Sequence, residues 1–203
     1  MDTMKLKEIF RVALLIMTAM LVVVRGVESK RLLFVIDMQT NLLKPGKGGM
    51  HVDSLQTGPL IKNVNQTIHA AQSLGIPVVY ILNEWTNPFV NFFTHNVCKK
   101  GSAGSGLDTR VDVVDSLFFE KSKGNSFSNA QLSDYVKRNS VKTIYVTGIM
   151  AEGCVGATTR AGLGKGFDIR LIVPAIGASS RSKLEKSLER LKRQGAKTIQ
   201  KIE

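Results

Sequence analysis

TIYVTGIMAEGCVGATTRAGLGK, at residues 143–165, contains the pattern that determines the predicted architecture. Residues 143–147 are a short run rich in β-branched and apolar side chains, which predicts a buried strand. A turn bounded by Gly148 and Gly153 follows, and residues 154–165 are then predicted to form a helix. A strand joined by a short turn to a helix is the repeating unit of α/β proteins, so this segment favours an α/β fold.

The same alternation continues through the rest of the chain. One segment, residues 83–112, lacks clear periodicity and is predicted to be a long loop of the kind that is often functional. Continuous apolar strands that alternate with helices indicate a parallel sheet covered on both faces. We therefore predict an α/β fold with three αβα layers and a six-stranded, mostly parallel, Rossmann-like sheet with helices on both faces. The predicted strands are 31–37, 77–82, one within 113–120, 143–147, 169–173 and 197–200, and the predicted helices are 58–74, 129–138, 154–165 and 180–194.

Length and composition limit the classes of protein. The chain has 203 residues and a formal charge of +12, and its length suits one domain with a tail. Two cysteines exclude a disulfide-rich scaffold and a four-cysteine zinc site. The most basic segment, residues 181–201, has leucines at 184, 188 and 191, a helical spacing. We therefore predict a solvated covering helix there and no nucleic-acid partner.

The amino terminus differs from the rest of the chain. Residues 12–24 (VALLIMTAMLVVV) are uncharged, follow three basic residues and precede small residues at Gly26 and Ser29. This pattern is typical of a secretory signal peptide, so we expect residues 1–26 to be a signal peptide and 27–203 the folded domain. The alternatives are an uncleaved signal anchor and an amphipathic core helix. The expectation is a secreted or extracytoplasmic protein without a stable membrane span once the signal is removed.

Three polar residues are predicted to share one edge of the sheet. Asp37 ends the first strand, Lys121 ends the third, and Cys154 opens the helix after the fourth. Ligands bind to such sheets at the carboxyl ends of the strands. A helix N-terminus lowers the pKa of a cysteine, a carboxylate can accept the thiol proton, and an ammonium can keep that carboxylate ionised. Taken singly, each residue also has a structural explanation as a small buried residue, a turn residue or a solvated lysine.

Four segments carry a resemblance to a known family. They are FVIDMQTNLL (34–43), GSAG (101–104), EKSKGNSF (120–127) and GIMAEGCVGATTRAG (148–162). In this order and spacing they resemble the isochorismatase-like cysteine hydrolases, which include nicotinamidases, N-carbamoylsarcosine amidohydrolases and ureidoacrylate hydrolases. The resemblance covers about residues 31–200.

The resemblance implies a covalent mechanism. Cys154 would attack a carbonyl carbon, Asp37 would accept the thiol proton, and Lys121 would stabilise Asp37. A cis peptide bond is implied between Ile149 and Met150, with the N–H groups of Met150 and Cys154 forming an oxyanion hole. The spacing to the phenylalanine that ends the third motif selects Lys121 rather than Lys123.

Departures from the family affect the expected substrate and cofactor. Nicotinamidases hold a metal with Asp-x-His and a further His after the second strand, but this chain reads LNEWTNPFVNFFTH there. Glu84 is the nearest carboxylate and His95 the first histidine, so we expect neither a metal nor another cofactor. Relatives that cleave the vinyl ether of isochorismate often lack the cysteine, so Cys154 favours amide or carbamoyl hydrolysis. Vinyl ether hydrolysis and a secreted binding or effector protein with little turnover are the alternatives.

Several assignments around the site depend on position alone. We place Gln39, Trp85 and Phe127 among the substrate-binding residues of a small-molecule site. The aromatic residues of the long loop either line the pocket or pack the loop onto the core, and these are Trp85, Phe89, Phe92 and Phe93. The resemblance also allows a homo-oligomer.

The remaining candidate groups are weaker. A Cys–His dyad would need one of the three histidines, but His69 is predicted to lie within a helix, and the loop positions of His51 and His95 do not indicate a residue that would orient the ring. Cys98 is expected to be a free thiol, because pairing with Cys154 would block the nucleophile. Asn65 begins an N-glycosylation sequon.

Overall fold

Six strands form one sheet in the order β3-β2-β1-β4-β5-β6. The computed structural model describes residues 30–44 and 51–203, so the expected signal peptide lies outside the described residues. The registers recorded between neighbouring strands are all parallel, which confirms the predicted sheet. The strands are β1 (Lys30–Ile36), β2 (Val78–Asn83), β3 (Leu117–Lys121), β4 (Val141–Gly148), β5 (Asp168–Ile176) and β6 (Lys197–Ile199).

Helices cover both faces of the sheet. They are α1 (Thr40–Leu43), α2 (Ser54–Ser73), α3 (Pro88–Phe93), α4 (Ala130–Arg138), α5 (Cys154–Gly164) and α6 (Arg181–Arg193), with a 3₁₀ turn at Ser126–Ser128. On one face, α2 packs its apolar residues against alternate residues of β1 such as Leu33 and Val35. On the other face, α4, α5 and α6 pack against the intervening residues, including Phe34 and Ile36. The three-layer αβα arrangement follows from this division of β1 between two apolar clusters, because successive strand residues point to opposite faces.

The differences from the sequence predictions include the start of one helix and an additional helix in the long loop. Helix α2 begins at Ser54 rather than at Gly58, because the Asp53 carboxylate caps it by accepting a hydrogen bond from the Leu55 N–H. Strand β3 begins only at Leu117, since the preceding segment bonds through side chains; the Val114 N–H donates to the Tyr80 hydroxyl. The long loop contains α3, whose start is capped by the side chain of Asn87.

Residues 31–203 form one compact unit. None of the helices within the described ranges has the length and the apolar composition needed to cross a membrane.

Candidate active site

The strand order reverses between β1 and β4, and the predicted catalytic residues meet at that point. The chain moves outward from β1 to β2 and β3, and then returns to place β4 on the other side of β1. In open parallel sheets, a crevice forms at such a switch point outside the carboxyl ends of the strands. Asp37 follows β1 and Cys154 follows β4, so both residues border this crevice.

The backbone brings the ends of β1 and β4 unusually close. Gly148 has a φ of 105°, and a side chain there would overlap the carbonyl oxygen of Ile36. Asp37 itself has a φ of 54°, a left-handed conformation that is uncommon outside glycine but is tolerated by Asp and Asn. Its N–H still donates to the Ile81 carbonyl oxygen at 2.8 Å. The carboxylate is therefore carried by a turn that is tied to the sheet.

Lys121 reaches the Asp37 carboxylate from the edge strand β3. Its Nζ lies 2.9 Å from Asp37 Oδ2, and both side chains are almost completely buried. Neighbouring strands lie about 4.7–4.9 Å apart, so this long side chain extends over the end of β2 to reach the residue after β1. Asp37 Oδ1 has no hydrogen-bond partner in the described part of the protein. One carboxylate oxygen is thus neutralised by the ammonium, and the other is left to accept a proton.

The three groups influence one another's ionisation. Burial raises the pKa of Asp37, although the charge of Lys121 acts in the opposite direction. Burial alone would lower the pKa of Lys121, but the negative charges of Asp37 and Cys154 outweigh it and raise the pKa of the ammonium. Lys121 therefore stays protonated, and Asp37 is a stronger base than an exposed carboxylate.

The expected lowering of the Cys154 pKa is wrong. Burial is the main cause that raises the pKa of this thiol to about 12, and the negative charge of Asp37 adds to it. The positive charge of Lys121 lowers the pKa by a smaller amount. Cys154 stands at the first position of α5, but loss of hydration around the sulfur outweighs the helix dipole. Cys154 is therefore a protonated thiol at neutral pH.

The turn before Cys154 is held at several points. The peptide bond between Ile149 and Met150 is cis, as predicted. The Ile149 N–H donates to the Ile36 carbonyl oxygen and the Ala151 N–H to the Gly177 carbonyl oxygen, each at 2.9 Å. Within residues 30–44 and 51–203, neither the Met150 N–H nor the Cys154 N–H is bonded to another backbone group. Both N–H groups therefore remain available beside the thiol.

Glu152 links this turn to the loop after β5, a contact that the sequence did not reveal. Its Oε1 accepts hydrogen bonds from the N–H and the hydroxyl of Ser179, and Lys183 Nζ donates to the same hydroxyl at 2.9 Å. The only signal in the sequence is a carboxylate two residues before the cysteine, which does not indicate its partner. The contact links the turn before Cys154 to the start of α6.

Gln39 lies at the site, but its side chain binds the protein itself. Its Oε1 accepts from the Asn83 N–H at 2.8 Å, and its Nε2 donates to the carbonyl oxygens of Asn83 and Ser105. The side chain is completely buried. Gln39 thus holds the ends of β1 and β2 and the glycine-rich segment together, and its side-chain amide is used by backbone groups of the protein.

Trp85 and Phe127 pack into different parts of the molecule. Trp85 is half-buried against the α2 side of the core, and its N–H and carbonyl oxygen bond to residues 98 and 100. Phe127 is buried on the opposite face, where its ring stacks on Phe167 at 5.5 Å between centroids. The structure therefore places Phe127 in the core, while substrate binding by Trp85 stays a prediction.

The three phenylalanines of α3 neither line a closed pocket nor pack onto the core. Phe89, Phe92 and Phe93 are 77%, 76% and 74% exposed. For these three residues the alternative of packing the loop onto the core is wrong, because the short helix turns their rings to solvent and buries Asn91 instead.

The residues after β2 do not fit a metal ion. Lys100 Nζ lies 2.7 Å from Glu84 Oε2 and 2.9 Å from Glu120 Oε2, so one ammonium already pairs with both carboxylates. The next positions are Trp85 and Thr86, neither of which supplies an imidazole or carboxylate ligand. Across the described ranges, no three His, Cys, Asp or Glu side chains are grouped to hold an ion.

The weaker sequence candidates have other partners. His69 lies on α2, and its Nε2 is 2.8 Å from Asp112 Oδ2. The partner of this histidine is therefore Asp112 and not Cys154. The Asn65 side chain donates to the Arg110 carbonyl oxygen and accepts from the Asp112 N–H, which uses the amide that glycosylation would modify. Cys98 is a buried free thiol, as expected.

Comparison with known proteins agrees with this geometry. Residues 31–203 match the isochorismatase domain family. An N-carbamoylsarcosine amidase from an Arthrobacter species is 28% identical over 127 residues, which cover 57% of this chain and 47% of that protein. A ureidoacrylate amidohydrolase from Acinetobacter baylyi is 27% identical over 158 residues, which cover 64% of this chain and 63% of that protein. The chain thus spans between about half and two thirds of the length of these curated relatives.

Solved structures show the same fold. An isochorismatase family protein from Desulfovibrio vulgaris has a TM-score of 0.76 at 15% identity, over 85% of this chain and 94% of that chain. A pyrazinamidase of Pyrococcus horikoshii in complex with zinc has a TM-score of 0.72 at 25% identity, over 84% of this chain and 99% of that chain. With the family match extending over the whole sheet, the chain belongs to the isochorismatase family.

Proposed function

We propose that this protein is a cysteine hydrolase that cleaves a C–N bond of a small amide, ureide or carbamoyl compound through a thioester on Cys154. The observation that carries this proposal is the buried Asp37–Lys121 ion pair beside the Cys154 thiol, with one Asp37 oxygen left without a partner. The names of the similar curated proteins, an amidase and an amidohydrolase, support the same class of reaction.

Acylation begins with attack of the Cys154 sulfur on the substrate carbonyl carbon. The thiol proton moves to Asp37 Oδ1 as the C–S bond forms, because a thiol with a pKa of about 12 is not ionised beforehand. The N–H groups of Met150 and Cys154 stabilise the oxyanion of the tetrahedral intermediate. The C–N bond then breaks, and Asp37 returns the proton to the departing nitrogen.

Deacylation uses the same groups, with water as the nucleophile and the Cys154 sulfur as the leaving group. Asp37 takes a proton from a water molecule whose oxygen attacks the thioester carbonyl carbon. The second tetrahedral intermediate expels the sulfur, which recovers its proton from Asp37, and the acid product leaves. Throughout, Lys121 keeps Asp37 able to ionise and does not exchange protons itself.

The reaction class is tested by measuring the release of ammonia or amine. Purified protein would be incubated with a carbamoylated amino acid, a ureido acid, nicotinamide and simple aliphatic amides. We expect hydrolysis of at least one carbamoyl or amide compound and none by Cys154→Ala. Hydrolysis of none of these compounds by correctly folded protein would contradict the proposal.

We also propose that the protein is exported after removal of residues 1–26. The basis is the apolar run at residues 12–24 behind a basic start. Amino-terminal sequencing of secreted protein should begin between Val27 and Leu32, whereas recovery of intact Met1 from a soluble cytosolic fraction would refute export.

Hydrolysis is expected to be independent of a metal. Lys100 already pairs with Glu84 and Glu120, so no imidazole–carboxylate set is left after β2 to bind one. Activity should survive dialysis against EDTA, and elemental analysis of the active protein should find no stoichiometric zinc, iron or manganese. Loss of activity with EDTA that one added metal restores would show this expectation to be wrong.

Replacing Lys121 with alanine should shift the pH profile. Lys121 lowers the pKa values of Asp37 and Cys154, so its removal raises both. Asp37 must be ionised to accept the thiol proton, and the acidic limb of the kcat/KM profile should therefore move to higher pH. The matched control is Lys123→Ala, because Lys123 is exposed and lies two residues away. An unchanged acidic limb in Lys121→Ala, or an equal shift in Lys123→Ala, would contradict the assigned role.

A further inference from the structure

The segment at residues 122–125 is a fixed wall beside the nucleophile. At its start, Lys121 is held by the ion pair with Asp37. At its end, the Ser126 N–H donates to Thr158 Oγ1 at 3.0 Å, and the Ser126 hydroxyl shares a 2.8 Å hydrogen bond with the same atom. Both anchors are buried, whereas residues 122–124 between them are exposed.

Gly124 is the position in this wall that approaches the sulfur. A methyl group on Gly124 would lie 4.0 Å from Cys154 Sγ and 3.6 Å from Ala157 Cβ, both ordinary van der Waals distances. The backbone at Gly124 is not in the left-handed region, so neither strain nor backbone crowding requires glycine there. The consequence of glycine at this position is therefore open space next to the reacting atom.

We propose that Gly124 determines the size of the substrate group that lies beside the Cys154 sulfur. This inference rests on the proposed function. A carbonyl carbon ready for attack lies about 3–3.5 Å from its nucleophile, so the groups bonded to that carbon fall in the same shell around the sulfur as a methyl on residue 124. The space left by the missing side chain would be taken by a substituent on the carbonyl carbon of the amide or carbamoyl substrate. A side chain at this position would exclude that substituent while leaving the catalytic groups in place.

The space beside the sulfur can be measured by alkylation, which requires no turnover. Wild type, Gly124→Ala and Gly124→Val would be treated with iodoacetamide and with the bulkier N-phenylmaleimide at one pH, and labelling of Cys154 would be followed by peptide mass spectrometry. We expect Gly124→Val to slow the labelling of Cys154 by N-phenylmaleimide at least about tenfold more than its labelling by iodoacetamide. About tenfold is the lower end of the discrimination that one added carbon produces in a pocket. Gly124→Ala should show the same preference to a smaller extent. Gly58→Ala is the matched control, because nothing lies within 4 Å of a methyl group there.

Equal rates with N-phenylmaleimide in wild type and both Gly124 variants would overturn the proposal. If Gly124→Val fails to fold, Gly124→Ala decides the question, because its methyl group makes only ordinary contacts. Failure of the protein to hydrolyse any amide would contradict the proposed function but would leave these labelling ratios intact. The proposed hydrolase function and the proposed role of Gly124 are therefore tested by separate results.

Discussion

Cys154→Ala should lose essentially all hydrolytic activity while keeping the fold. No other nucleophile is placed to form the thioester, because Cys98 is completely buried and burial raises its pKa to about 12. Removing the nucleophile from a hydrolase that acts covalently typically reduces kcat by about 10⁶-fold. Steady-state rates with the best substrate from the ammonia-release screen would measure the loss. The fold should survive, since alanine is smaller than cysteine and suits a helix.

The matched control is Cys98→Ser. Serine is close in size to cysteine, and its hydroxyl can donate to Gln39 Oε1, which lies 4.0 Å from the Cys98 sulfur. This variant should keep near wild-type kcat. Full activity in Cys154→Ala, or inactivity of a folded Cys98→Ser, would show that the wrong cysteine has been assigned.

Asp37→Asn should have the next largest effect. Asparagine keeps the shape of the side chain but cannot accept the thiol proton, and the thiol is protonated at neutral pH. The loss of general-base catalysis typically costs about 10²–10⁴-fold, so we expect kcat/KM to fall by at least that range. Lys121 also loses its charged partner, and uncompensated burial of its ammonium should lower thermal stability.

Thermal unfolding measures the loss of stability in Asp37→Asn, and steady-state kinetics of the folded variant measures the loss of general-base catalysis. The control is Asp112→Asn, which removes an exposed carboxylate that is paired with His69 outside the site. It should leave kcat/KM unchanged. Activity of Asp37→Asn within tenfold of wild type would contradict the role of Asp37 as base.

The positions of the three candidate residues could be predicted from the sequence because strand ends converge in a parallel sheet. Asp37 and Lys121 end apolar runs, and Cys154 follows one across a glycine-bounded turn. Once the strands are parallel, their carboxyl ends share an edge, and a long lysine side chain can extend over one strand to reach the aspartate. Sequence spacing alone was therefore enough to bring these three residues together.

Properties that depend on the surroundings of a residue could not be predicted in the same way. The pKa of Cys154 is raised because neighbouring segments remove water from the sulfur, and the local helix position carries no information about that burial. Gln39 belongs to a motif, but only the folded chain shows that its amide bonds to Asn83 and Ser105. Gly124 looks like an ordinary loop glycine until the folded chain shows that a methyl group placed on it would lie 4.0 Å from the Cys154 sulfur.

The most direct test of the proposed mechanism is to trap the covalent intermediate. A slowly hydrolysed substrate would be mixed with the protein, quenched in acid and analysed by mass spectrometry after digestion. We expect the peptide that contains Cys154 to gain the mass of the acyl group. This acylated peptide should be absent in Cys154→Ala and should accumulate more slowly in Asp37→Asn. An acyl adduct on Cys98, or product formation by a Cys154→Ala protein, would contradict the assignment of Cys154 as the nucleophile.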